Sequence, residues 1–418
     1  MSAPQLVRGT SLPGAILLGL GAIVGTGAYV SIAMATSITG SGVLIAILIA
    51  ALVAACNGLS SSQLAAVHPV SGGTYEYGYE FLNHWFGFSA GWLFVAAKSA
   101  SAATAALALS LYVLPALGLA AGWQVPLALV TILVMTLLVL AGVRRSNQAN
   151  AVIVTVAIGA LLVFVVTTFN AYEPTLATTP AASGSMHDIL AAAALIFVAY
   201  TGYGRIATMG EEITSPKRNI PIAIVATVLV TTALYLVLGW ALQYTNLQQQ
   251  GVNESELALV ALASNSTVAT IVLIGAAVAL LGVMLNLILG VSRVILAMGR
   301  RGDLPAAFGG LNAGQTSAPA ATWLTAVVMM ALALSGSVEL AWSFSAFTVL
   351  VYYGITNLAA LQIPAQQRFV PRFISVLGLI SCLALTLFIE WPVLAAGGLL
   401  IVAGLVWHRW RLWLLANK

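Results

Sequence analysis

Near the start of the chain an apolar run contains Gly19-Leu20-Gly21-Ala22-Ile23-Val24-Gly25-Thr26-Gly27-Ala28-Tyr29. Each glycine weakens a helix by about 1 kcal/mol against alanine, so a cluster in mid-run predicts an interruption. A helix broken in an apolar surrounding exposes backbone N–H and C=O groups, tolerated only where they line a cavity or protein interior. The N–H groups opening the second half suit a carboxylate. The carbonyls ending the first half suit an ammonium or sodium ion. Gly21 and Gly25 also form a G-x-x-x-G, which serves close helix packing, and these residues alone leave both readings open. A second candidate break is Phe197-Val198-Ala199-Tyr200-Thr201-Gly202-Tyr203-Gly204.

A third feature is Lys98, set in Trp92-Leu93-Phe94-Val95-Ala96-Ala97-Lys98-Ser99-Ala100-Ser101. A lysine at the centre of a membrane helix costs about 2.5–3.5 kcal/mol. Its small neighbours suggest close contact with other helices, while snorkelling of the stem to an interface is the alternative. The remaining polar residues read as structural. His68, His84 and His408 fall at run ends and His187 in a loop, with no metal-ligand spacing among them. Glu211 and Glu212 read as solvated or paired with Lys217 and Arg218. Cys56 and Cys382 sit in apolar runs as small hydrophobes. There is no G-x-x-x-x-G-K-[ST] loop, no nucleophile motif and no mid-run carboxylate pair. No cofactor and no catalytic residue is expected.

The elements that carry these residues follow from composition. Of 418 residues, 61% are hydrophobic and 6% charged, against about 25% charged in a soluble domain. No soluble fold of this length hides so much apolar surface. The apolar runs lie near Leu12–Thr36, Val43–Val67, Gly91–Pro115, Pro126–Val143, Ala151–Phe169, Asp188–Thr208, Ile220–Gln243, Val268–Ala297, Ala318–Ser337, Leu340–Ile363, Phe373–Glu390 and Pro392–His408. They are continuous, which excludes the alternating strands of a membrane barrel. A spanning helix takes roughly 20 residues, so about twelve transmembrane helices are expected. The first run, preceded by a short polar stretch with Arg8, is too long for a cleaved signal peptide.

With the N-terminus in the cytoplasm, every Lys and Arg except Lys98 falls on the cytoplasmic side, from Arg8 to Lys418. The opposite side carries only Glu173, Asp188, Glu254, Glu256, Glu339 and Glu390. This is the bias expected of cytoplasmic loops, and it supports twelve spans with both termini inside. The net charge of +4 therefore reflects membrane sidedness and gives no argument for nucleic acid. The two candidate breaks are five spans apart, as an inverted repeat of five plus five helices would place them. No residue-level repeat links the halves.

The run Gly21–Tyr29 resembles the first-helix signature of the amino acid–polyamine–organocation (APC) superfamily. Pro69-Val70-Ser71-Gly72-Gly73-Thr74-Tyr75 resembles its P-x-S-G-G-x-Y loop after helix 2. Tyr200–Tyr203 followed by Glu211-Glu212-Ile213-Thr214-Ser215-Pro216-Lys217-Arg218-Asn219-Ile220-Pro221 is similar to the helix 6 site and its trailing loop. Ser292-Arg293 and Met298–Pro305 resemble the end of helix 8 and the next loop. The resemblance implies an all-α polytopic membrane protein with two inverted five-helix repeats, residues 1–170 and 187–365, and two added helices, 372–418. It implies a substrate amino acid between helices 1 and 6, its carboxylate on amides near Gly25, Thr26 and Gly27. Carbonyls near Ile23, Val198 and Thr201 would take the ammonium. Phe197, Tyr200, Gly202 and Tyr203 would line or close the pocket, although aromatics also serve packing and interfaces.

Many members of the superfamily carry Glu two residues after the glycine equivalent to Gly202, where this chain has Gly204 and then Arg205. No carboxylate is then available for a cationic side chain, and arginine, lysine and polyamines are disfavoured. Some proton-coupled relatives carry a lysine in helix 5, and Ala151–Phe169 has none. Since helix 3 borders the substrate site in the family, the Lys98 ammonium is expected to face the cavity near helix 1 in place of a bound cation. Desolvation favours the neutral form of an amine, so its protonation could couple transport to protons. The reading is a secondary transporter of neutral amino acids, and not an enzyme, in the lipid of the inner (cytoplasmic) membrane. Acidic or cationic substrates, a non-APC transporter and a channel are the alternatives. A 6+6 carrier would need a long loop between helices 6 and 7, and Met209–Asn219 is short.

Overall fold

The computed structural model describes residues 10–69, 72–142, 147–170, 184–207, 213–243, 259–260, 262–312 and 318–416. Val70, Ser71, Arg8, Arg144, Arg145, Glu173, Glu211, Glu212, Glu254, Glu256 and Lys418 lie outside these. The described chain is helical, and Thr10 and Ile213 form an isolated bridge. In chain order the α-helices are α1 (Leu12–Ile23), α2 (Ile32–Thr39), α3 (Val43–Val67), α4 (Thr74–Phe81), α5 (His84–Ala116), α6 (Gln124–Leu140), α7 (Asn147–Asn170) and α8 (Met186–Tyr200). They continue as α9 (Gly204–Ala207), α10 (Pro216–Leu242), α11 (Ser266–Arg301), α12 (Pro319–Ala333), α13 (Val338–Leu361), α14 (Arg372–Thr386) and α15 (Trp391–Ala416).

Nine stretches among the described residues are long and apolar enough to cross a membrane, against the twelve runs read from sequence. The difference has two sources. The first two runs join in one stretch, Leu12–Val67, of 56 residues, about 84 Å of helix if straight, far more than one bilayer core. It is interrupted by the 3-10 turn Gly40–Gly42, which opens on Gly40 at φ 55°. In addition, α12 and α14 are apolar but only 15 residues each.

Local chemistry sets several ends. The Asn83 side chain accepts from the amides of Trp85 (3.0 Å) and Phe86 (3.2 Å) and starts α5. Ser185 and Asp188 form a capping box at α8, which satisfies two otherwise orphaned donors. Gly302, in the left-handed region at φ 92°, ends α11. The short helix α4 lies in a stretch that the hydropathy pattern reads as linker, because its Glu76, Tyr77, Tyr79 and Glu80 break the apolar run.

Burial sorts the helices. In α5 and α13, 78% of the most apolar window is buried, against 28% in α6 and 22% in α15. The first pair forms the centre with α8, and the second pair stands at the rim with its leucines, valines and tryptophans exposed. α5 packs on α13 and α11, α3 on α10 and α8, and α1 on α10 and α7. These contacts bring the two helix interruptions to the middle of the bundle.

Candidate functional site

The first interruption falls at the glycine cluster. α1 ends at Ile23, and Val24 turns out of helix at ψ 73°. Helical backbone resumes at Thr26, runs as a π-turn over Gly27–Ser31 and continues into α2. The second half is held by Tyr29, whose hydroxyl donates to Ala157 O of α7 (2.8 Å) and whose carbonyl accepts from the Tyr112 hydroxyl of α5 (2.8 Å). The second interruption is the 3-10 turn Thr201–Tyr203 between α8 and α9.

Two glycines let the breaks close on each other. A Cβ at Gly202 would lie 2.6 Å from the carbonyl carbon of Ala22, so the second break rests on the backbone of the first. A Cβ at Gly27 would meet Tyr235 Oη and, at 2.7 Å, Ala199 Cβ.

A cavity of about 810 Å³ opens at this contact. Of the residues singled out from sequence, Ile23, Thr26, Gly27, Val198, Thr201, Gly202 and Lys98 line it. Gly25, Phe197, Tyr200 and Tyr203 do not. Gly25 abuts Val283 of α11. The Phe197 ring meets Tyr353 edge-on at 5.7 Å, Tyr203 lies 5.5 Å from the same ring, and the Tyr200 hydroxyl donates to Thr232 (3.0 Å).

Lys98 is half-buried on α5, and its Nζ donates to Thr201 Oγ1 at 2.9 Å. Its partner belongs to the second break, and Lys98 lines the same cavity as Ile23, Thr26 and Gly27 of the first. Thr201 Oγ1 in turn donates to Val198 O at 2.7 Å. The exposed carbonyls are largely engaged by the protein. Ile23 O accepts from Gly25 N (2.9 Å) and the Tyr235 hydroxyl (3.3 Å), and Thr201 O from the Tyr353 hydroxyl (3.4 Å). The amides are different. The first N–H groups of a helix have no partner within it, and the resumed helix presents this end at Thr26 and Gly27. Beside it Thr26 Oγ1 is buried with no hydrogen-bond partner among the described residues.

From the breaks the cavity runs toward the C-terminal end of α11, where Arg293, Arg300, Arg301 and Glu76 line it. Arg301 pairs with Glu76 at 2.5 Å and lies over the Tyr79 ring, 4.0 Å from its centroid. With Lys98 and Arg205, the wall carries five basic side chains and one acidic one. The sequence reading missed Trp342 and Tyr353 of α13, Asn286 of α11 and Tyr235 of α10. Asn286 alone carried a signal, an amide isolated in a long apolar run.

A helical membrane bundle with a central cavity where two broken helices meet is the build of a carrier. A family model described as amino acid permease matches residues 14–410. An uncharacterized transporter of Mycobacterium tuberculosis is 36% identical over 96% of this chain and 90% of its own length. The chain is 29% identical to a methylthioribose transporter of Bacillus subtilis, over 79% and 75% of the two chains. It is 27% identical to a branched-chain amino acid permease of the same organism, over 94% and 88%. The chain belongs to the amino acid permease family of the APC superfamily and is a transporter, not an enzyme.

Proposed function

We propose that the chain is a secondary active transporter, permease or exchanger, of neutral L-amino acids in the cytoplasmic membrane, working by alternating access. The observation that carries this reading is the pairing of open helix-start amides and the unpartnered Thr26 hydroxyl with Lys98, across one cavity. A substrate carboxylate meets fixed dipoles there without a competing protein acid. The five-to-one excess of basic side chains on the wall disfavours a second positive charge on the substrate. The architecture proposed is twelve crossings, counting Leu12–Val67 twice and including α12 and α14. It has repeats 1–170 and 187–365 with 372–418 added, and both termini are cytoplasmic. On that orientation the arginine-lined end of the cavity faces the cytoplasm, and the conformation is inward-facing. Lys98 is the proposed coupling group, standing on the second break where a cation would otherwise sit and exchanging a proton during the cycle.

The test is uptake of labelled amino acids into liposomes holding only this protein, with and without proton and sodium gradients. Saturable uptake of neutral amino acids is expected, with arginine and lysine at least about tenfold poorer, as one uncompensated charge near the site requires. Arginine affinity equal to that for alanine or leucine would overturn the selectivity. Methylthioribose is the second substrate to include, because a relative bearing that name covers most of the chain.

A further inference from the structure

We infer that Asn286 reads the substrate's side chain, and that the preferred neutral amino acids carry a hydroxyl or carboxamide there. The inference rests on the proposed function and narrows its substrate class. Between Thr270 and Ser292, Asn286 is the sole polar side chain of α11. Polar side chains inside a membrane helix normally find a partner on a neighbouring helix. Asn286 has none among the described residues, yet it lines the cavity. It lies on one helical face with Val283, Leu287 and Gly290, the spacing of i, i+3, i+4 and i+7, and all four line the cavity.

Position relative to the first break is fixed by Val283, which abuts Gly25. Asn286 is three residues on, about 4.5 Å further along the helix axis. A substrate whose carboxylate meets Thr26 and Gly27 therefore extends its side chain along this face. Space is available, since a Cβ built at Gly290 meets nothing within 4 Å.

The other neutral polar groups on the wall are already committed. The Trp342 indole donates to Leu195 O (3.0 Å), Ser101 pairs with Ser345 (2.8 Å), and the Tyr353 hydroxyl donates to Thr201 O (3.4 Å). Thr26 stands beside the helix-start amides, at the carboxylate end. The Asn286 carboxamide is left with two donors and an acceptor and no group among the described residues to meet them. A substrate hydroxyl or amide satisfies it. An aliphatic side chain leaves it dry and unpaired, which a site built to hydrogen-bond penalises strongly.

The experiment compares uptake of serine, threonine, asparagine and glutamine with that of valine and leucine in liposomes, for the wild type and for Asn286→Leu and Asn286→Ala. The wild type is expected to favour the polar set. Asn286→Leu is expected to shift the ratio of kcat/KM toward the aliphatic set by about 10- to 100-fold, with Asn286→Ala moving it the same way. A wild type that prefers valine and leucine overturns the inference without any variant. So does an unchanged ratio in a variant that still transports. A wild type that transports none of the six but takes up alanine or another neutral amino acid overturns the inference alone, whereas one that takes up no neutral amino acid removes the proposed function as well.

Discussion

Two polar regions of this protein are built in opposite ways. At the end of α11, Asp303 is 5% exposed and accepts the hydroxyls of Tyr75 (2.7 Å) and Tyr79 (2.8 Å). Its backbone carbonyl accepts the Trp407 indole of α15 (2.9 Å), and Arg411 donates to Gly302 O (2.9 Å). His84 and His408 share a hydrogen bond of 3.0 Å, and the His408 ring stacks on Phe88. In this knot His408 Nδ1 has no hydrogen bond among the described residues and lies 3.6 Å from an Asp303 oxygen. Burial first, and the Asp303 carboxylate second, push both the Tyr75 and Tyr79 phenols above their ordinary range, so they remain donors at any working pH. Among the described residues, Thr26 and Asn286 of the cavity have no hydrogen-bond partner. A closed network fixes helices, and an open one holds a place for something the chain does not supply.

That contrast can be broken by substitution. Gly27→Val should have the largest effect on transport. Its side chain would enter the space of Tyr235 Oη and Ala199 Cβ and cover the helix-start amides. Uptake is expected to disappear while the protein still reaches the membrane. Undiminished substrate affinity in that variant would show that the amides take no part.

Asp303→Ala should do most to stability. It strands the hydroxyls of the buried Tyr75 and the half-buried Tyr79 and releases the tie between α4 and the α11 end. A cost of about 2–4 kcal/mol is expected, read as a lower thermal midpoint in detergent. A midpoint equal to wild type would mean that the two tyrosine hydroxyls do not hold α4 to the end of α11.

Lys98→Ala is intermediate. Among the described residues the ammonium has one hydrogen-bond partner, Thr201 Oγ1 at 2.9 Å, so little stability is at stake. Uptake should fall by about tenfold or more, the scale of one charge-assisted contact, and its pH dependence should flatten. A fully active variant with an unchanged pH profile would return Lys98 to the snorkelling reading.

How much of this was legible in the chain follows the physics of each residue. Both helix interruptions could be read, because glycine at Gly25, Gly27, Gly202 and Gly204 acts on its own backbone. Lys98 could be read, because the cost of a charge in an apolar run needs no neighbours. Asn286 announced itself by the same argument in weaker form and was passed over. The Asp303 knot could not be read, since Tyr75, Asp303 and His408 are brought together only by the packing of α4 and α15 on α11. The engagement of Ile23 O by Tyr235 was hidden for the same reason, the partners being 212 positions apart in sequence. The helix α4 was missed because its polar residues obey a knot that lies elsewhere in sequence.

The smallest effects give the sharpest comparison, because two nearly isosteric changes should act in opposite ways. Tyr79→Phe removes one donor from Asp303 and leaves Tyr75 in place. About 0.5–1.5 kcal/mol of stability should be lost, with uptake unchanged, since Tyr79 does not line the cavity. Thr26→Val removes a buried hydroxyl that has no partner among the described residues. Losing an unsatisfied polar group costs nothing and relieves a desolvation penalty, so the thermal midpoint should hold or rise. Uptake should nevertheless fall several-fold, because in the proposed function the hydroxyl serves the substrate carboxylate. Measuring midpoint and uptake on the same two preparations places each residue on a plane of stability against transport. If Thr26→Val instead loses stability and keeps full uptake, its hydroxyl belongs to the fold, and the open network at the first break is not a binding site.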